Sequence, residues 1–406
     1  MAFQAVYFVL IGRTLGSKEY GAFVGVASLV SVLGQFSTLG MELILIRDVS
    51  RDRSRFPSSW GLALELSVIG FFAVTGISVV VGHFALSPDV RVLIPLIAIS
   101  DGLLGKIALL ASKAFQAFGD FRLSANLMAF TNFARAVVAG ALFVVSLKAK
   151  THATAYEWTK VYWSSSLVVA VIGFGAVTAK YGLPRWSGIS VRTLSEGFSF
   201  SVSSSSISIY NDIDKTILIS LGQEKAAGIY AAAYRIVDVA STPIYGIYAA
   251  AFPQFFREGA KSVRNARDFS VRLLRKTVPY SLAAALLMAG GATLLPYILG
   301  PSFAASTGAL RWLCVLPLIR CFHYAAGTTI TGSVSQWYRT VQQLAAAALN
   351  VALNMLLIPK FSWQGAALAS LLTDGALAAM NWICVTWLIS RQENAAVVIP
   401  VATSVG

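Results

Sequence analysis

Apolar runs of roughly 20 residues recur along the whole chain, each long enough to cross a bilayer core of about 30 Å. Short polar breaks separate them, and the pattern predicts twelve spans: 1–13, 20–45, 60–86, 92–112, 123–147, 157–179, 197–221, 228–254, 277–299, 308–332, 338–358 and 363–390. The first is short, because only about a dozen residues precede Arg13 where a full crossing takes roughly 20. Either the true N-terminus lies upstream or this helix is abbreviated. The expected fold class is an all-α polytopic membrane protein.

Composition supports that reading. The 406 residues are 56% hydrophobic and 12% charged, whereas a soluble domain carries about 25% charged residues. Too few polar residues remain to coat a water-soluble core. The net charge of +14 would suit a nucleic-acid partner in a soluble chain. Here it is concentrated in alternate loops, with Arg47, Arg51, Arg53 and Arg55 after the second span and Arg257, Lys261, Arg264, Arg267, Arg272, Arg275 and Lys276 after the eighth. Arg339 belongs to the same set of loops. This positive-inside bias places both termini in the cytoplasm of a cell (plasma or inner) membrane protein, and no nucleic-acid partner is expected. Cys314, Cys321 and Cys384 lie in apolar runs, so no disulfide framework is implied.

The spans divide into two sets of six. A lobe at 1–179 precedes a polar connector at 180–196; a second lobe at 197–392 precedes a tail at 393–406. "LGSKEYGAF" from Leu15 and "LGQEKAAGIY" from Leu221 both follow the first span of their half. Each reads Leu-Gly, a charged stretch, then Gly before an aromatic. The echo supports a duplication, with two six-helix bundles related by an axis along the membrane normal around a central cleft.

Charges inside predicted spans carry the candidate chemistry. Lys106, Arg135, Lys215, Arg235, Arg311 and Arg320 are basic, and Asp101, Asp212, Asp238 and Asp374 are acidic. A basic residue at a span centre costs about 2.5–3.5 kcal/mol, so these groups are expected to be paired or wet. Asp212 and Lys215 stand at i,i+3, with Asn211 on the same face, and Arg235 and Asp238 repeat the spacing. Structural pairing, helix-end snorkelling and substrate binding all fit those pairs. Arg135 and Arg320 fall near mid-span, where lipid offers no partner. If the basic residues share one cleft, they form a cationic ladder suited to phosphate. The aspartates balance charge or carry a coupling ion.

Other chemistries are poorly represented. No G-x-x-x-x-G-K-[ST] loop is present to cradle ATP. His83, His152 and His323 lack metal-ligand spacing. No cofactor or metal is expected, and the longest external segment, near residues 148–157, is about ten residues and leaves an extracytoplasmic catalytic site no scaffold, so no enzyme is expected.

The ordered motifs "IGRTLGSKEYGAF", "FSTLGMELILIRDVS", "YNDIDKTILISLGQEKAAGIYAAAYRI", "FPQFFRE", "ILGPSF" and "LNVALNMLLIPKFSWQGAALASLLTD" resemble the polysaccharide-export (O-antigen and exopolysaccharide repeat-unit) flippases. These belong to the multidrug, oligosaccharidyl-lipid and polysaccharide exporter superfamily. The likeness covers roughly residues 10–390. It implies alternating access of two lobes and an undecaprenyl-diphosphate-linked glycan turned to the outer leaflet. It also implies membrane lipid, a polysaccharide polymerase and a chain-length regulator as partners. On this resemblance Arg135 and Arg320 bind diphosphate or acidic sugar, and Lys215, Arg235 and Arg311 receive it on the outer side. Three alternatives stay open: a lipid II flippase, a cation-coupled drug exporter, and a non-transporting component of a glycan-assembly complex.

Overall fold

The computed structural model describes residues 2–186, 188, 191–334 and 336–397. The end of the expected tail, 398–406, lies outside the described residues, as do 187, 189 and 190 of the expected connector. Among the described residues the regular structure is helical throughout, with no strand.

Helix α1 (Ala2–Gly34) contains a sharp turn at Gly16, whose φ of 68° and ψ of 174° suit glycine. The rings of Phe8 and Tyr20 come to 6.1 Å, whereas twelve residues of continuous helix would set their backbones about 18 Å apart. So α1 is two arms, matching the first two expected spans. The second arm stops at Gly34, earlier than the expected 45. Residues 35–40 form turns that include Gln35, Ser37 and Thr38, Leu39 and Gly40 take positive φ, and α2 (Met41–Arg51) starts afresh as a separate amphipathic helix.

Helix α3 (Phe56–Ala85) follows. The fourth span is assembled from pieces: α4 (Pro88–Arg91), α5 (Ile94–Ile97), a π-helical turn (Ala98–Leu104) and α6 (Gly105–Ala117). Asp101 sits on the π turn, a backbone form that is rare and frequent at functional sites. Helix α7 (Phe121–Ala149) leads to α8 (Ala155–Tyr181), which starts in a capping box between Thr154 and Glu157. Between α6 and α7, Asp120 accepts from Lys180 Nζ at 2.7 Å and from the Tyr181 hydroxyl. Those bonds, Lys180 first, hold the Asp120 carboxyl below the usual carboxylate range.

Then come α9 (Val191–Ser220), α10 (Glu224–Lys261), α11 (Val263–Gly291) and α12 (Leu295–Leu299). The last elements are α13 (Ser306–Leu313), α14 (Leu316–Ser333), α15 (Trp337–Phe361) and α16 (Trp363–Val397). Among the described residues, eight helical segments are long and apolar enough to cross a membrane. The other four expected spans are the two arms of α1, α9 and α10. Large apolar side chains such as Phe72, Phe84, Leu287 and Leu356 stand exposed, as lipid-facing positions do.

The chain forms two compact units. The first holds Met1–Ala231 and Leu294–Ala305. Its core gathers Met41, Phe56, Trp60, Leu110 and Phe115 from α2, α3 and α6. Helix α9 lies along α1 in this unit, and the two copies of the repeated motif meet there. A Cβ on Gly21 would come within 1.8 Å of the Glu224 carbonyl oxygen, and one on Gly228 within 1.9 Å of the Ser17 carbonyl oxygen. The repeated Leu-Gly turn also keeps its backbone, with φ of 68° at both Gly16 and Gly222. The second unit holds Ala232–Thr293 and Ser306–Gly406. Its cores gather Ile244, Phe255, Cys321 and Ala325, and then Ala326, Ile330 and Val385.

Candidate substrate-binding residues

Arg135 projects from α7 in the first unit. Its Nη2 donates to Asp101 Oδ1 on the π turn at 3.4 Å. Tyr162 from α8 donates its hydroxyl to the same oxygen at 2.5 Å, and the guanidinium lies over the Tyr162 ring, 5.0 Å from its centre. The aromatic rings of Phe23 and Trp158 both pack against Tyr162. Guanidinium has five N–H donors, and among the described residues no other donor of Arg135 is engaged. The side chain keeps 27% of its accessible surface. It lines a pocket of about 230 Å³ with Ser112, Thr131, Asn132 and Ser166, beside the apolar Ala108, Leu109, Leu127 and Val169. Lys106 is half-buried and directly follows Gly105 of that pocket wall.

Arg320 projects from α14 in the second unit, and its side chain keeps only 6% of its surface. Nη1 donates to Asp238 Oδ1 at 3.0 Å and to Ser241 Oγ at 3.5 Å. Nη2 donates to the Tyr234 hydroxyl at 2.5 Å, and Nε to Asp374 Oδ2 at 3.5 Å. Three helices, α10, α14 and α16, are tied through this one side chain. His323 Nε2 stands 3.7 Å from the second Asp374 oxygen. The spacing of Arg235 and Asp238 suggested a pair; instead Asp238 turns to Arg320. Arg235 is half-buried with no ion pair among the described residues.

Lys215 lies in α9 of the first unit and is 4% exposed. Its Nζ donates to the Asn211 carbonyl at 2.8 Å, to Asp212 Oδ1 at 2.9 Å and to Asp214 Oδ1 at 3.4 Å. Tyr230 donates to the other Asp214 oxygen at 2.5 Å. The i,i+3 pair with Asp212 is present, and Asp214 completes a network in which a buried ammonium has all three protons placed. Arg311, at the end of α13, is exposed.

The sequence therefore located the arginines, the lysine and Asp101, Asp212, Asp238 and Asp374, and missed Asp214 and the tyrosines. Tyr162, Tyr234 and Tyr230 each bond the anionic or cationic member of a buried charge group. Each comes from a different helix than the residue it serves, so no local spacing marks it. Among the described residues no group of three His, Cys, Asp or Glu side chains is placed to hold a metal.

A family model described as polysaccharide biosynthesis protein matches residues 1–258. No curated protein matches the chain. Among solved structures, an inward-facing multidrug-resistance MATE transporter of the MOP superfamily superposes with a TM-score of 0.80 at 15% identity, covering 97% of this chain and 95% of that one. A MOP superfamily transporter from Pyrococcus furiosus, reported for a binding pocket of reversed polarity, gives 0.63 at 15% identity over 97% and 92%. The lipid II flippase MurJ in an inward closed conformation gives 0.64 at 10% identity over 95% and 85%. At these identities the likeness establishes a shared fold.

Proposed function

Because the chain belongs to the polysaccharide biosynthesis protein family, we propose that it is a flippase for a lipid-diphosphate-linked oligosaccharide. Its cargo is the undecaprenyl-linked repeat unit of an O-antigen, capsule or exopolysaccharide, carried across the cytoplasmic membrane by alternating access of lobes 1–179 and 197–392. Both termini lie in the cytoplasm on this reading, a polymerase and chain-length regulator receive the product outside, and no reaction is catalysed.

One observation carries the proposal: Arg135 is an arginine deep in an apolar helix whose donors are mostly unspent among the described residues, and it lines a pocket of mixed apolar and hydroxyl character. Keeping such a group in a membrane segment costs about 2.5–3.5 kcal/mol, which binding to phosphate oxygens offsets when cargo arrives. Guanidinium presents paired N–H groups that match phosphate geometry. In this assignment Asp101 and Tyr162 aim Arg135, while Lys106, Arg235 and Arg311 add positive potential along the route. Arg320 and Lys215 hold the helices that frame it, because their donors are already bonded within the protein. Asp101, Asp212, Asp238 and Asp374 balance charge. A cationic route of this kind favours anionic cargo over the organic cations of a drug exporter.

Polymer export in a deletion strain tests the reading. Arg135→Ala at normal protein level is expected to cut export about ten- to a hundredfold, with lipid-linked repeat units accumulating on the cytoplasmic side. Normal export from that variant would sink the assignment. Complementation of a lipid II flippase defect, with no effect on polysaccharide, would move the cargo to a peptidoglycan precursor.

A further inference from the structure

The second unit contains a pocket of about 260 Å³ walled by three helices. Helix α10 contributes Tyr245, Tyr248, Ala249 and Phe252, spaced i, i+3, i+4 and i+7 and hence on one face. Helix α14 contributes Tyr324 and Thr328, and α15 contributes Arg339. The Tyr245 and Tyr324 rings meet edge to face at 6.0 Å. Tyr245 is 61% exposed despite its size. No hydrogen bond within the described residues takes the hydroxyl of Tyr245 or Tyr324.

Arg339 differs in kind from the sealed Arg320 in the same unit. Among the described residues its one hydrogen bond runs from Nη1 to Thr331 Oγ1 at 3.2 Å. Among the described residues no carboxylate oxygen lies within 4.0 Å of it. It occupies the first turn of α15, where a cation opposes the helix dipole and an anion is favoured. That placement destabilises the helix end unless negative charge joins it. No acidic residue lines the pocket.

We infer that this pocket is a sugar-binding subsite, in which a pyranose ring stacks on Tyr245 and Tyr324 while an anionic group of the same ligand pairs with Arg339. The axial C–H bonds of a pyranose give it an apolar face that suits an aromatic ring, and its hydroxyls suit the two free tyrosine hydroxyls. The volume falls just below the range of about 300–1,000 Å³ typical for drug-sized ligands, so the pocket takes one ring and leaves the rest of a chain outside. The anion is a phosphate or a sugar carboxylate, since guanidinium pairs with either. The subsite rests on the flippase reading and specifies which end of the cargo the second unit reads: the sugar carried next to the charge.

The full chain in lipid nanodiscs tests this with three probes: a short polyprenyl diphosphate, the same lipid bearing N-acetylglucosamine, and the same lipid bearing glucuronate. Tyr245→Ala is expected to weaken both sugar-bearing lipids about three- to tenfold and leave the bare diphosphate unchanged. Ala249→Trp, at an exposed position in the wall, fills the space and is expected to do the same. Tyr245→Phe keeps the ring and most of the affinity. Arg339→Ala is expected to weaken all three about ten- to a hundredfold if phosphate is the anion, and the glucuronate lipid alone if carboxylate is. Wild-type affinity from Tyr245→Ala, Ala249→Trp and Arg339→Ala together would overturn the subsite and leave the flippase reading standing. A wild-type protein that binds none of the probes overturns both.

Discussion

The Arg135 and Arg320 sites are built from the same parts in different states of completion. Each places an arginine over a tyrosine ring, at 5.0 Å and 5.1 Å from the ring centre, beside an aspartate from another helix. Around Arg320 the construction is finished: two aspartates, a tyrosine and a serine take its donors, and 6% of its side-chain surface remains. Around Arg135 one aspartate makes a long contact, and 27% of the surface remains beside a pocket. The same residue type at the same apparent depth thus serves as a tie in one unit and as an open cation in the other. What separates them is the number of acceptors that neighbouring helices supply.

The largest expected effect is on folding. Arg320→Ala leaves the buried Asp374 carboxylate without its cation and is expected to cost about 3–5 kcal/mol, the range for breaking a buried ion pair by removing one partner. Thermal unfolding in detergent reads this directly, and a wild-type melting point would break the contrast. Next comes Arg135→Ala, expected to leave folding within about 1 kcal/mol, because its contact is long and partly solvated. Export should nevertheless fall by about ten- to a hundredfold, the worth of a charged hydrogen bond to cargo. Should the two variants lose stability equally, both arginines would be ties.

Tyr162→Phe sharpens the contrast further. It removes the hydroxyl that shares Asp101 with Arg135 and is expected to cost about 1 kcal/mol of stability. The arginine gains a fuller claim on Asp101 and a poorer aim, so export drops less than in Arg135→Ala. The smallest effect belongs to a charge pair outside the spans. Asp120, held below its ordinary value by Lys180 and Tyr181, adds stability in full above the usual aspartate value of about 3.9. That contribution is lost as pH falls through the depressed value. Asp120→Asn should remove this acid-side slope from melting curves recorded between neutral and strongly acidic pH, while the Arg320→Ala deficit persists at neutral pH.

Much of the fold was legible because membrane helices announce themselves by length and apolarity, which depend on nothing outside the segment. The boundaries that failed were local exceptions. The second arm of α1 ends at Gly34 because polar turns intervene, although the apolar run resumes at Met41. The pieces of the fourth span hide inside one hydrophobic stretch, where the π turn leaves no compositional trace. For the charges, spacing along one helix revealed Asp212 with Lys215 and misjudged Arg235 with Asp238. Partners on other helices decide that second case, since Asp238 has a better donor in Arg320. Arg339 reads as one more loop cation in the sequence; only the walls contributed by α10 and α14 make it part of a pocket.

The meeting of Gly21 and Gly228 has a genetic consequence. Each glycine faces main-chain atoms of the other copy of the motif, not a side chain. A mutation that adds bulk at either position therefore has no second-site suppressor directly opposite, because no substitution shortens a backbone. Revertants selected from Gly21→Ala or Gly228→Ala should restore glycine itself, or else fall at positions that shift a whole helix.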